Sequence, residues 1–378
     1  MNHKWHLLVI LSLLSVSGCW DLEEVDRRAF VTNIGVDIEA QNQVRITIQI
    51  PLLKEVLPPG ARHGSRGKDF QTISATGSSV NEAFSILETR TERRLVIQQK
   101  QLLIIGAETA RLGVNPVLDW LLRSPKTPPH CLILVARSPR TAREILEFTP
   151  KTKIMPGLTS NITKRIATKR DRTYFMDSWL FRQKLLYGPK DAYATLIDID
   201  QTQGQKIMEG LAVFNGYRMA GELNPEETQA FGLLTNQMKA GRMTFDFSTD
   251  IAGPKYSLRV VRGKTEIKVL VREGQPYFLV HTAVRGILSE IVSARHSTKL
   301  TPQFLQGLEE KMATEIETRL STTIKKLQQF NSDPIDFGEQ FRVQHHDLWK
   351  RSDWKKIFPQ ARFRVLVKVK IFGEGVTR

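Results

Sequence analysis

Apolar residues run from Leu7 to Val16, broken only by Ser12 and Ser15, and beyond that block the pattern changes to short periodic stretches. Phe30 to Ile38 reads as a strand, and Val44, Ile46, Ile48 and Ile50 alternate with Arg45, Thr47 and Gln49 as a half-buried strand does. Gln41 to Gln43 lie between them, so a hairpin is predicted. Residues 54–69, with Pro58-Pro59-Gly60 and Gly64-Ser65-Arg66-Gly67, read as a loop. Ser79 and Glu82 have capping-box spacing, and Val80, Ala83, Phe84 and Leu87 predict a helix to about Thr91. Strand patterns at Leu95–Ile105 and Cys131–Val135 then alternate with helical patterns from Ala107 through Leu122 and over Thr141–Leu146. Such alternation predicts an α/β-type layer.

Gln201-Thr202-Gln203-Gly204-Gln205 is short, polar and patternless, and a domain boundary is expected there. Asn215-Gly216 between two short apolar runs is a strong hairpin signal. Asn224, Pro225 and Glu227 open a helix as N-cap, first position and third position. Three strand runs, Tyr256–Val261, Thr265–Val271 and Tyr277–Ile287, are separated by Gly263 and by Gly274-Gln275-Pro276, as in an antiparallel meander. Leu305, Leu308, Met312, Ile316, Leu320, Ile324 and Leu327 then form one stripe of a long helix starting at Thr301-Pro302, expected to pack on the meander. The last strand sets Phe363, Val365, Val367, Val369 and Ile371 against Arg362, Arg364, Leu366, Lys368 and Lys370. The expected fold class is α+β and multidomain: mixed sheets with packed helices, and a C-terminal meander plus one long amphipathic helix. The expected divisions are 1–18, 19–200 and 207–378, with 240–255 marking where the last would split.

The opening block has the layout of a secretory signal, with Lys4 as its positive region, and is about half the ~20 apolar residues that span a bilayer. Val16-Ser17-Gly18-Cys19 is a lipobox: an aliphatic residue and two small ones before a cysteine. The Cys19 thiol would take the diacylglyceryl group, and Cys19 would then become the acylated N-terminus. An ordinary signal with a chance cysteine is the bland alternative. The rest of the chain would be an extracytoplasmic body, anchored without spanning. Only Cys131 then remains, in the apolar run Cys131-Leu132-Ile133-Leu134-Val135, so no intrachain disulfide forms.

Removing the signal leaves 54 basic and 39 acidic side chains, a net charge of +15. Anionic phospholipid is one counter-surface for such a body, and a generally solvated basic surface is the other reading. The densest basic stretch, Lys151 to Arg172, offers either a membrane-facing patch or a solvated connector.

No Gly-rich phosphate loop, nucleophile elbow, His-Glu-x-x-His or paired Cys-x-x-Cys is present. His345 and His346 are adjacent and would point apart on a strand, and Asp198-x-Asp200 reads as a strand end. No catalytic residue, cofactor or metal site is expected.

Several stretches in order carry a resemblance: Gly18-Cys19-Trp20-Asp21 with Glu24, then Asn33-Ile34-Gly35-Val36-Asp37-Ile38. Asn81-Glu82-Ala83-Phe84 to Arg93-Arg94, Leu103 to Glu108 and Leu118 to Arg123 follow. Glu209-Gly210-Leu211-Ala212-Val213-Phe214, Ser332-Asp333-Pro334, Phe337-Gly338, Trp349-Lys350 and Trp354 complete the set. Together they resemble the Ger(x)C lipoproteins, the C-subunit family of spore nutrient germinant receptors. Glu23, where the family often has a basic residue, and His345-His346 near Trp349 depart from the pattern. The resemblance implies a lipoprotein on the outer leaflet of the spore inner membrane, assembled with a polytopic A subunit and a transporter-like B subunit. That complex senses nutrients and triggers ion and dipicolinate release. The resemblance carries over one site residue, the lipidated Cys19, and no catalytic residue or nucleic-acid partner. A solute-binding lipoprotein with two similar lobes is the alternative, and an extracytoplasmic hydrolase a third.

Cys19→Ala is expected to abolish the mass increment of the diacylglyceryl group and to leave the uncleaved precursor, as read by mass spectrometry. A variant that matures with an unchanged N-terminal fragment mass would reject the lipobox.

Overall fold

A computed structural model describes residues 27–52, 70–123, 130–150, 171–187, 189–238, 241–246, 255–292 and 301–374. Cys19 and residues 151–170 of the basic stretch lie outside them. The elements run β1 (Arg28–Phe30), β2 (Asn33–Ile38), β3 (Val44–Pro51), β4 (Phe70–Gly77), α1 (Val80–Thr89), β5 (Arg94–Val96) and β6 (Leu102–Ile105). Next come α2 (Ala107–Leu112), α3 (Asn115–Arg123), β7 (Leu132–Ala136), α4 (Ala142–Glu147) and α5 (Ser178–Leu186). They continue as β8 (Tyr193–Asp200), β9 (Gln205–Asn215), β10 (Arg218–Leu223), α6 (Pro225–Leu234), β11 (Gly241–Asp246), β12 (Lys255–Arg272) and β13 (Gln275–Val292). The last are α7 (Pro302–Gln329), α8 (Phe337–Gln344), α9 (His346–Trp349), α10 (Trp354–Ile357) and β14 (Arg362–Glu374).

Eight strands form one mixed sheet in the order β10-β9-β8-β7-β6-β2-β3-β4. Its centre, β2-β6-β7-β8, is parallel, and both flanks are antiparallel. β6 and β7 are Leu-Leu-Ile-Ile and Leu-Ile-Leu-Val-Ala, buried at every position. A parallel strand covered on both faces carries such an unbroken apolar run. Ala142, Ile145 and Leu146 of α4 cover one face with Leu102, Ile104, Leu132 and Leu134. Val80 and Leu87 of α1 and Leu118 and Leu121 of α3 belong to the core on the other, with Leu103, Ile105, Ile133 and Val135. The predicted α+β class stands. No helix among the described residues is long and apolar enough to cross a membrane.

Two expectations change in detail. The polar stretch at 201–205 is not a linker: β8 and β9 are antiparallel neighbours, and residues 201–204 are the turn between them. Asp200 closes that turn by accepting from the N–H groups of Thr202 and Gln203 at 2.9 and 3.1 Å. The first sheet therefore continues to Leu223, past the expected boundary. Nor does Gly263 separate a pair of strands. β12 is continuous through it, with a register shift between Val260 and Arg262. A Cβ on Gly263 would lie 2.6 Å from Leu233 Cδ2, so glycine there lets α6 sit close to the strand. β11, β12 and β13 form the antiparallel meander, and β14 joins β13 in parallel, because the long helix α7 carries the chain back across the sheet.

The stripe on α7 is core. Leu308, Met312, Ile316, Leu320, Ile324 and Leu327 are buried, in one cluster with Val365, Val369 and Ile371 of β14. Losing a buried Ile side chain costs about 2–5 kcal/mol, and an unpaired carboxylate adds to that. Ile316→Asp should therefore lower the melting temperature of the 20–378 fragment by roughly 6–12 °C, as measured by circular dichroism. An unchanged melting curve would show that the stripe is not core.

Candidate functional site

Cys19, the residue to which the sequence assigns a chemical role, precedes the described residues and has no described surroundings. The structure gathers polar groups elsewhere, at the seam between the eight-stranded and the four-stranded sheet. Helix α7 ends at Gln329, and Asn331 takes a left-handed φ of 46° that turns the chain back. Ser332 Oγ then donates to the carbonyl of Phe214 on β9 at 2.5 Å. Asp333 N–H donates to the carboxylate of Asp191 at 2.8 Å, while Asp191 N–H donates to the Asp333 carbonyl at 3.2 Å. Asp191 also accepts from Gly216 N–H in the β9–β10 turn and pairs with Lys355 Nζ at 2.7 Å.

The side chain of Asp333 points the other way, into α8. It accepts from the N–H groups of Phe337 and Gly338 at 3.0 and 2.7 Å and from the indole of Trp354 at 3.2 Å. The carboxylate thus meets the unpaired first N–H groups of a helix, where negative charge is favoured. Burial outweighs those donors and pushes the Asp333 carboxyl up to about 7, with Asp336 and Asp191 adding to the rise. A Cβ on Gly338 would stand 2.6 Å from Trp354 Nε1 and 2.8 Å from Pro189 Cβ, so this helix start must be glycine to lie under the indole. Trp354 in turn lies within 6.2 Å, centroid to centroid, of Phe278, Trp349, Phe341 and Phe358.

Among the described residues, no strand pairs with the outer edge of β12 from Arg262 to Arg272. Side chains take the place of a strand. Asn236 accepts from Thr265 N–H at 2.7 Å and donates to its carbonyl at 2.9 Å. Gln344 accepts from Val269 N–H at 2.8 Å and donates to the Ile267 carbonyl at 3.2 Å. His345 Nε2 meets the Val269 carbonyl at 2.9 Å, so His345 is a joint residue, while His346 is exposed. An open edge is a template for unwanted pairing, and these amides close it.

A second joint holds α4 to the first sheet. Asp37 accepts from Ala142 N–H at 2.7 Å and Arg143 N–H at 3.0 Å, and Gln49 Nε2 donates to the Leu146 carbonyl at 3.0 Å. Burial pushes the Asp37 carboxyl up against those two donors. A Cβ on Gly35 would reach Leu146 Cδ1 at 2.8 Å.

Little in these groups supports bond-making chemistry. Cys131 is a free buried cysteine beside Ser178 Oγ at 3.5 Å, and burial raises its thiol. Asp198 meets Arg140 at 3.3 Å at the end of β8. Among the described residues no three His, Cys, Asp or Glu side chains are placed to hold a metal ion. A groove of about 880 Å³ runs between α1 and α3, with Phe84 and Trp120 in ring contact at 5.3 Å. A second cavity of about 500 Å³ adjoins the seam at Tyr193, Gln237 and Asp336.

Of the seam residues, the sequence singled out Ser332, Asp333, Phe337, Gly338 and Trp354 as members of a motif. It missed Asp191, Asn236, Gln344 and Lys355, for which polar residues beside short elements are the available signal.

Two family models match this chain in order. Residues 21–199 match the spore germination protein N-terminal domain, and residues 209–375 match the C-terminal domain of the spore germination B3/GerAC-like proteins. Their junction falls at the β8–β9 turn. YfkR of Bacillus subtilis (strain 168) is 26% identical over 384 residues, which take in 98% of this chain and 96% of that one. Spore germination protein GerQC of Bacillus cereus is 23% identical over 99% of both chains. The crystal structure of the GerBC protein superposes with a TM-score of 0.54 at 19% identity, over 93% of this chain and 99% of that one, which shows a shared fold.

The raised Asp333 carboxyl has a consequence for stability. The folded state keeps this proton to about pH 7, while the unfolded chain loses it near the ordinary carboxylate value of 3.8. Its contribution is therefore complete below about pH 4 and is lost as pH rises through about 7. Urea unfolding of the 20–378 fragment at pH 5, 6, 7 and 8 should show that loss, and Asp333→Asn should flatten this region of the profile. An identical pH slope in the variant would mean that Asp333 does not titrate in this window.

Proposed function

The chain belongs to the family of GerAC-like spore germination proteins, and from that premise we propose that it acts as the C subunit of a spore nutrient germinant receptor. The observation that carries this reading is the ordered match of both domain models over nearly the whole chain. The lipobox at Cys19 supports a lipid anchor, which would hold the body on the outer leaflet of the spore inner membrane. Its partners in this reading are the membrane-embedded A and B subunits. The role in this reading is organisational: polar joints and an aromatic cluster fasten two sheets into a scaffold.

The alternative, a solute-binding lipoprotein, calls for two similar lobes around a cleft. Here the largest sheet has eight strands with a parallel centre and the next has four. A ligand would have its best opportunity in the groove at Phe84 and Trp120, which combines apolar walls with a few polar groups.

Deletion of the gene should abolish the spore's response to its nutrient while leaving germination by exogenous dipicolinate intact. Calorimetry of the 20–378 fragment with amino acids, sugars and nucleosides should show no saturable binding. Saturable binding of about micromolar strength would overturn this reading in favour of the solute-binding one.

A further inference from the structure

The four-stranded sheet has two unlike faces. One packs on α7, whose 28 residues carry four acidic and four basic side chains. On the other, the basic side chains of β14 at 362, 364, 368 and 370 stand in register with Arg262, Lys264 and Lys268 of β12 and Arg285 of β13. All eight are exposed. In those paired rows the acidic residue is Glu266, which holds Lys264 at 2.5 Å, and Lys370 reaches Glu309 of α7 at 3.3 Å. Among the described residues, Arg262, Lys268, Arg362, Arg364 and Lys368 have no carboxylate within ion-pair distance.

Lysines on β14 alone would be explained as protection of an edge strand. That account does not reach Arg285, which sits on β13 between two paired neighbours, and on β12 the outer edge beside the basic residues is already closed by Asn236 and Gln344. Apolar groups stand among the charges: Leu366 is 37% exposed and Phe372 53%. The Arg285 guanidinium lies over the Phe372 ring at 6.0 Å, and Arg272 over Tyr277 at 4.3 Å. An open sheet face of this kind offers no concavity for a small anion. Basic groups interleaved with exposed apolar and aromatic ones suit the boundary between headgroups and acyl chains.

We propose that the solvent face of β12, β13 and β14 lies against an anionic phospholipid surface. This deepens the lipid-anchored reading above and rests on it for its setting: one acyl anchor holds a protein weakly, and a polybasic face is a second signal. The body would then lie with this face towards the membrane and α7 away from it.

The test uses the chain from Trp20 to Arg378, which contains every described strand and helix, so the lipid anchor contributes nothing. Its sedimentation with phosphatidylcholine vesicles is compared with that on vesicles containing phosphatidylglycerol. Each basic side chain close to such a surface strengthens binding about fivefold. The combined variant Lys268→Gln, Arg285→Gln, Arg364→Gln and Lys368→Gln should therefore bind roughly a hundredfold more weakly or worse. A control with Lys311→Gln, Lys325→Gln, Lys350→Gln and Lys356→Gln, all exposed and off this face, should change little. If the combined variant does not fold, Lys368→Glu against Lys311→Glu gives the same comparison. Equal loss in face and control variants, no preference for phosphatidylglycerol, or binding to nucleic acid or polyglutamate in place of vesicles would each overturn the proposal. Lipidation of Cys19 is read separately by mass, so a failed anchor and a failed face are told apart.

Discussion

The exchange between Asp191 and Asp333 is the constraint on which the assembly of this molecule depends. Each residue's backbone N–H is taken by the other, one by a carboxylate and one by a carbonyl. Asp191 is 3% exposed and Asp333 1%, so water cannot substitute for these partners. A buried carboxylate without a partner is costly, and each has been given several. Asp191 has Lys355 and two backbone N–H groups, and Asp333 has the start of α8 and the Trp354 indole. Three distant chain segments, near 191, 333 and 354, must therefore be in place together. Losing the segment at 191 or that at 333 would leave a buried backbone N–H of the other without its partner.

The glycines at the joints follow from the same shortage of space. Gly35 lets α4 settle on the sheet, with Asp37 beneath its first turn, and Gly338 lets α8 begin under Trp354. At both places a carboxylate reads helix N–H groups while a glycine clears room for the approach. Four of the stretches that carry the family resemblance, Asn33–Ile38, Ser332–Pro334, Phe337-Gly338 and Trp354, lie at these joints. A joint restricts residue type more tightly than a buried apolar face, which accepts many side chains of similar volume.

The edges of the four-stranded sheet are managed differently. β12 is closed by the amides of Asn236 and Gln344, which mimic the backbone of a neighbouring strand. β14 is left as an edge and carries basic side chains at alternate positions. Period-two alternation concentrates those charges on one side and gives the apolar residues to α7. A protein of net charge +16 thus shows much of its excess on a single face and a balanced surface on the helix behind it.

Periodicity made the element types legible: the stripe of α7, the caps at Ser79 and Asn224 and the alternating last strand appear as read, while β3 is a strand but is buried on both faces, Thr47 and Gln49 included. These are local, because propensity, capping and one-sided burial act within a few residues. The family was legible too, since its motifs lie in order along the chain. Strand partners were not. The polar run at 201–205 has the composition of a linker and is a turn, because Asp200 lies just before it to cap the free N–H groups. Gly263 has the composition of a break and is a point of close packing against Leu233, a residue 30 positions earlier. Nothing local names the partner of β14, which the helix before it delivers to β13 in parallel. Asp191 has no local pattern at all, and its role exists only because Asp333 and Lys355 arrive beside it. Local residue order set what each segment could be and which side of it sought burial. Which segments met was decided by long-range packing, where space and unpaired polar groups admit few combinations.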